Sequence, residues 1–222
     1  FEIIDQNKFI SPTLNKELNE DLSIINKKSI VLPLGEVKIT RKVNSILIII
    51  RVNTEIEVWD QNKRRLFEQP KIEYSIRSIK SLINSINLCQ NKYSGLKIKI
   101  IILDDSSKDE NLNRIKEVIK DTNGEIISLD TKKFESKIKK QKTQETFSNL
   151  ASLLQCFEIG KEIGEDLIFF VEDDYLHFKT MLAEMIATYE RVSSQMGRDI
   201  FMCPADYPYL YMNNEKTNVL IG

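Results

Sequence analysis

The groups that could do chemistry fall in a few short stretches: "RVNTE" (51–55), "DDSS" (104–107), Asp130 and "EDD" (172–174). The last is the most unusual. Glu172, Asp173 and Asp174 follow without a gap on the apolar run Leu167 to Val171. Carboxylates this close repel one another unless a cation joins them. Hard oxygen ligands suit Mg²⁺ or Mn²⁺, held by one or two carboxylates and completed by substrate phosphates and water. The stretch therefore reads as a site for a metal–diphosphate ligand. The plainer reading is a solvated cap for the next helix, but three acids exceed what one cap uses. "DDSS" likewise reads either as a ligand loop or as a strand-ending turn with a helix cap. His177, the sole histidine, lies three residues past Asp174. It reads as a loop or helix-start residue, with a place near the metal as the sharper alternative.

The elements that must position these groups can be read from periodicity. "SILIII" (45–50) has the continuous β-branched character of a strand buried on both faces, "LKIKIIIL" (96–103) reads as a second buried strand, and "EIISL" (125–129) and "DLIFFV" (166–171) read as a third and a fourth strand. A fifth strand is expected at "DIFMCP" (199–204). Helices are expected over 71–88, 109–120, about 143–163 and 178–196, each with apolar residues at helical spacing or with helix start and stop signals. Strands alternating with helices predict parallel βαβ units, an α/β sheet with helices on its faces. In such sheets ligands sit beyond the carboxyl ends of the strands. Arg51 to Thr54, Asp104 to Ser107, Asp130 and Glu172 to Asp174 all fall there, on one rim. Residues 1–44 read as an N-terminal extension or edge hairpin, with "SIVLPLGEVKITRK" as two short strands around Leu34-Gly35.

Composition narrows the function classes. With 222 residues, 41% hydrophobic and 29% charged, the chain suits one substantial globular domain. Its net charge of −1 gives no steering toward nucleic acid or anionic membrane, so no nucleic-acid partner is expected. No apolar run approaches the ~18 residues of a transmembrane segment. Cys89, Cys156 and Cys203 are far apart and read as reduced thiols, which implies a cytoplasmic protein. The chain starts at Phe1 and ends soon after the expected fifth strand, so it reads as a fragment. There is no G-x-G-x-x-G and no Walker-type loop, which disfavours dinucleotide enzymes and P-loop ATPases. A receiver-like phosphoacceptor would carry its acid pair on the first strand, whereas here the pairs follow the second and fourth.

"IKIIILDDSSKDENLNRIKEVI" (98–119) resembles the "VDDGSTD" segment of family 2 glycosyltransferases, and "LIFFVEDDYL" (167–176) resembles their D-x-D region. The Glu-Asp-Asp form is also similar to the acidic motif of N-acetylglucosaminyltransferases that act on N-glycans. "SILIIIRVNTE" (45–55) stands where the family has a first strand ending in "PxYNE"; Asn53 and Glu55 match, and Arg51 replaces the proline. "DIFMCPADYPYLY" (199–211) is similar to a "D-x-P-D-x-Y" segment of a bacterial subgroup. The resemblance spans residues 45–211.

It implies a GT-A (Rossmann-like), mostly parallel sheet with helices on both faces, occupying 45–222 as a nucleotide-sugar-binding domain whose acceptor part is truncated. It implies an inverting transferase that moves a hexosyl or N-acetylhexosaminyl group from a nucleotide sugar, UDP-linked, to a glycan, lipid-linked or other hydroxyl acceptor, with Mn²⁺ or Mg²⁺ as cofactor. By the same resemblance Asp104 or Asp105 binds uracil or ribose, Asp105 being preferred. Arg51 and Asn53 line the base pocket, Glu55 belongs with them to the nucleotide-sugar-binding residues, and Asp130 lies near the base or ribose. Glu172 and Asp173 face the sugar and ribose, and Asp174 ligates the metal. Asp206 touches the acceptor side or shapes the turn before Pro208, and no residue is assigned as the catalytic base. Two rivals stay open: a nucleotidyltransferase, which would normally show a Gly-rich loop after the first strand, and a non-catalytic GT-A-like module that holds nucleotide or glycan. Trp59 either packs or stacks on a base, and Tyr207, Tyr209 and Tyr211 either pack or stack on an acceptor sugar. The basic connection of Lys132, Lys133, Lys137, Lys139, Lys140 and Lys142 reads as a solvated, mobile face or as a lid over the diphosphate.

Overall fold

The computed structural model describes residues 28–31, 35–55, 69–139, 141 and 143–204. The chain divides into two compact units, one of residues 1–43, 91–93 and 180–222, the other of residues 44–90 and 94–179.

The second unit carries the sheet. Strands β3 (Ser45–Val52), β4 (Lys97–Asp104), β5 (Gly124–Ser128) and β6 (Leu167–Glu172) pair in the order β5-β4-β3-β6, all parallel. Helices α1 (Lys71–Lys92), α2 (Asp109–Ile119) and α3 (Gln144–Ile163) make the crossovers. The fold is therefore α/β, as the alternation predicted, and its parallel sheet flanked by helices is Rossmann-like. The chain builds outward through β3, β4 and β5, then returns to place β6 on the other side of β3. Right-handed crossovers thus put α1 and α2 on one face and α3 on the other.

Side chains alternate along a strand, so each face draws its own residues. Leu47 and Ile49 of β3 and Ile101 and Leu103 of β4 pack with Cys156 of α3, backed by Ile127, Leu129 and Ile159. The intervening Ile46, Ile48, Ile50, Ile100 and Ile102 are equally buried and point to the face of α1 and α2. There the helical stripes supply Ile72, Ile76, Ile79, Leu82 and Ile86 from α1 and Ile115 and Ile119 from α2. Fully burying each such side chain is worth about 1.5–3 kcal/mol. The central strands are apolar on both faces because both faces are covered.

The amino ends of β3 and β6 are fastened by Asp166. Its Oδ2 accepts from the N–H of Asn44 (2.6 Å) and of Ser45 (3.1 Å), while its own N–H donates to the Ser45 hydroxyl (3.1 Å). This clamp aligns Ile46 with Leu167 and, five residues on, Arg51 with Glu172.

The first unit holds a hairpin, β1 (Lys28–Val31) antiparallel to β2 (Gly35–Lys38), at the place where the sequence suggested two short strands. It also holds α4 (Met181–Met196). Ser194 of α4 accepts from the N–H groups of Thr40 (2.9 Å) and Arg41 (3.0 Å), and Glu190 accepts from that of Val43 (2.9 Å). Gly197 ends the helix in the left-handed region (φ 66°), donating to the Ser193 carbonyl.

The fifth strand expected at 199–204 does not form. Those residues have no regular structure, and the Phe201 side chain stands fully in solvent. The apolar run "IFMC" is short, and its entry is tied down: the Asp199 carboxylate accepts from the Arg41 guanidinium (2.7 Å) and the Tyr189 hydroxyl (2.9 Å). Those bonds hold the chain at the end of α4 rather than releasing it into a ladder.

Candidate functional site

Three of the four strands run further than their apolar cores suggest, so the first polar residue of each rim stretch is still in the ladder. Arg51 pairs across to Leu103 on one side and Glu172 on the other, Asp104 pairs with Val52 and Ser128, and β6 ends on Glu172. Strand alternation then sorts the charged groups by face. Arg51 and Glu172 share the α3 face with Ile49 and Phe170. Asp104 and Asp173 share the α1 face with Ile102 and Val171.

On the α3 face the Arg51 guanidinium bridges three elements. Its Nη1 donates to Asn149 Oδ1 (2.6 Å) and the Ser152 hydroxyl (3.1 Å) of α3, and its Nη2 donates to the Glu172 carboxylate of β6. The pair stands where the chain reverses its direction of sheet building, between β3 and β6. That is the switch point at which open parallel sheets form their ligand crevice.

On the α1 face Asp173 is buried. Its carboxylate accepts from the Lys71 ammonium (2.7 Å) and from the Ser75 hydroxyl. Burial pushes its pKa up, while Lys71 and Ser75 pull it back and neighbouring Asp174 adds to the rise. Lys71 lies in the first turn of α1, where the helix dipole disfavours a cation. Attraction to Asp173 offsets that cost and fixes the start of α1 to the end of β6.

Asp104 is also buried. Both its oxygens accept from the Ser107 N–H (3.3 and 3.2 Å), closing the turn after β4. Burial holds its carboxyl above the usual carboxylate range; the Ser107 bonds oppose this, and the charges of Asp105 and Asp173 reinforce it. Asp105 lies past the strand and is half-buried. Its Oδ2 accepts from the Asn53 side-chain amide (3.2 Å) and its Oδ1 from the Ser106 hydroxyl (3.3 Å). Ser106 takes φ 63°, a left-handed conformation, at the position where the "VDDGSTD" segment has glycine. Asn53 also accepts from the Glu55 N–H (3.0 Å) in an Asx turn.

Glu55 is turned away from the strand ends toward α2. It pairs with the Lys108 ammonium (2.7 Å) and accepts from the Asn111 amide (3.1 Å); the Lys108 contact above all holds its carboxyl below the usual range. Asp130 is exposed beyond β5, at the far edge of the sheet from β6. Its backbone N–H donates to Gln155 (2.9 Å), and its carboxylate accepts from the Lys133 N–H (3.4 Å) to cap a 3₁₀ turn, Thr131–Phe134. That turn buries Phe134 fully, and Lys133 and Lys137 pair with Glu158 of α3 at 2.6 and 2.7 Å. This part of the basic connection is anchored to α3 rather than free to close as a lid. Lys140 and Lys142 lie outside the described residues, as do Trp59, Asp206, Tyr207, Tyr209 and Tyr211.

Asp174 differs from its neighbours. It is exposed, and no hydrogen bond or ion pair joins its carboxylate to any described residue. No group of three or more His, Cys, Asp or Glu side chains among the described residues forms a ready-made metal cage. One free carboxylate still suits an Mg²⁺ or Mn²⁺ ion that takes its other ligands from phosphates and water. His177 sits apart from this: its backbone N–H donates to Ser81 (3.0 Å), its ring meets Phe169 edge-on at 6.4 Å, and burial lowers its basicity.

The sequence did not single out Lys71, Ser75, Asn149 or Ser152. One signal was present. Ser75 falls on the apolar stripe of α1 between Ile72 and Ile79, and a hydroxyl in a buried stripe requires a partner. No family model, curated protein or solved structure matches the chain.

Proposed function

We propose that this protein is a divalent-metal-dependent, inverting glycosyltransferase that uses a nucleotide sugar, a UDP sugar, as donor. The observation that carries the reading is the division of labour among the three adjacent acids. Glu172 is engaged by Arg51 and Asp173 by Lys71 and Ser75, whereas Asp174 has no partner among the described residues and is exposed at the rim. Two acids fix the loop and the third is presented to a ligand.

In this reading Asp105 and Asn53 hold the nucleoside, and the Arg51–Glu172 pair lines the switch-point crevice where the donor lies. Asp174 would hold the Mn²⁺ or Mg²⁺ ion, which when bound offsets the charge that builds on the departing diphosphate. The acceptor hydroxyl oxygen forms the new bond to the anomeric carbon as the carbon–oxygen bond to the diphosphate breaks from the opposite side. The hydroxyl proton passes to a carboxylate base. Asp104 and Asp173 act as positioning residues: one shapes the turn that presents Asp105, the other pins the strand end that presents Asp174.

Calorimetric titration with UDP and UDP sugars, with and without Mn²⁺, tests this. Binding should require the metal, and Asp174→Ala should weaken it by at least about 10- to 100-fold, the range for loss of a metal-orienting group. Metal-independent binding, or no UDP binding, would refute the reading. UDP binding without UDP release in the presence of an acceptor pool would favour the non-catalytic module.

A further inference from the structure

The first unit contains a charge that nothing described in the protein answers. Arg191, in the last two turns of α4, is only 4% exposed, and among the described residues it is the only buried cation. Its Nε and Nη2 atoms are buried and have no hydrogen-bond partner among the described residues. Other guanidiniums are met: Arg41 by Asp199 and the Gly197 carbonyl, Arg51 by Asn149, Ser152 and Glu172, Arg114 by Glu73. The adjacent Glu190 does not serve Arg191, since its carboxylate accepts from the Val43 N–H.

The identity of the two orphaned atoms matters. Nε–H and the Nη2–H beside it lie on one edge of the guanidinium and point in parallel. That edge is the fork that takes both oxygens of a carboxylate or of a phosphoryl group. A buried ion left without a partner is strongly unfavourable, and arginine cannot escape by losing its proton. The carbonyls at the end of α4 favour a nearby cation through the helix dipole but give it no acceptor.

We propose that the Nε/Nη2 edge of Arg191 is a binding site for an oxyanion, a carboxylate or phosphoryl group supplied by a ligand. The proposal does not rest on the donor reading above.

Thermal unfolding of the full chain in rising inorganic phosphate, or in rising acetate, with chloride holding ionic strength constant, tests it. At least one of the two anions should raise the midpoint saturably, by a few degrees at concentrations well above its Kd. Phosphate acting alone identifies a phosphoryl ligand, and acetate acting alone a carboxylate. The rise should vanish in Arg191→Met and shrink in Arg191→Lys, which keeps the charge but loses the fork. The Arg191 Nε–H resonance, assigned by its absence in Arg191→Lys, should move during the same titration. If neither anion does more than chloride, or the rise persists in both variants, or the resonance stays still at saturation, the proposal fails.

Discussion

Asp104 and Asp173 show how a carboxylate behaves when a strand carries it into the interior. Burial raises both pKa values, so each folded carboxyl binds protons more readily than the unfolded one. The sign follows from linkage: the stability such a group contributes is fully present below its unfolded value near 3.8 and is lost as pH rises through the folded value. Asp104→Asn keeps an acceptor for the Ser107 N–H and removes the buried charge. It should be more stable than wild type at pH 7 by about 1 kcal/mol, with the difference shrinking at pH 4.5. Urea unfolding at the two pH values measures this, and a variant less stable than wild type at pH 7 would mean the charge itself is needed. Lys71→Met has the opposite effect, because it leaves Asp173 buried without its cation. It should cost about 3–5 kcal/mol at pH 7. Adding Asp173→Asn should restore much of that, which a double-mutant cycle would show.

At the scale of elements, the packing of α3 on β6 depends on two glycines. A Cβ on Gly160 would lie 3.0 Å from Ile168 Cδ1, the tip of a side chain that can turn aside. A Cβ on Gly164 would lie 2.4 Å from the Gly160 carbonyl oxygen, which is backbone and cannot. Gly164→Ala should therefore destabilise by about 1–3 kcal/mol, the range for forced overpacking, and Gly160→Ala by less. Chemical denaturation of the two variants side by side decides it, and equal losses would contradict the argument. The close approach matters for the rim, because α3 supplies Asn149 and Ser152 to Arg51 while α1 supplies Lys71 and Ser75 to Asp173. Each face of the sheet thus holds one of the three adjacent acids through its own helix.

For the whole molecule, pH is the variable that reads several buried groups at once. His177 has its basicity lowered from the ordinary 6.5 by burial, so the folded state binds fewer protons than the unfolded one. Its contribution is present above 6.5 and is lost as pH falls from there through the folded value, with a slope of at most about 1.4 kcal/mol per pH unit. The buried acids Asp104, Asp173 and Glu190 slope the other way. His177→Phe keeps the edge-on ring contact with Phe169 and removes the titration. Between pH 7 and pH 5 its stability should fall less than that of wild type, or rise. Identical slopes for the two proteins would exclude His177 as the source.

The sequence by itself determined the strands of the sheet, their parallel order of construction and the rim on which the polar residues converge. Those follow from local rules: apolar runs need two covered faces, and βαβ units place strand ends together. It also led to strand ladders too short at the rim and to a strand at 199–204 that does not form, since ladder ends depend on the partner strand. Only the tertiary structure decided what each acid does. Glu172, Asp173 and Asp174 are adjacent and similar in the chain, yet strand alternation turns the first to Arg51 and the second to Lys71 and Ser75, and the third has no partner among the described residues. Their partners lie 98 to 121 residues away in sequence, and only packing brings such residues within reach of one another.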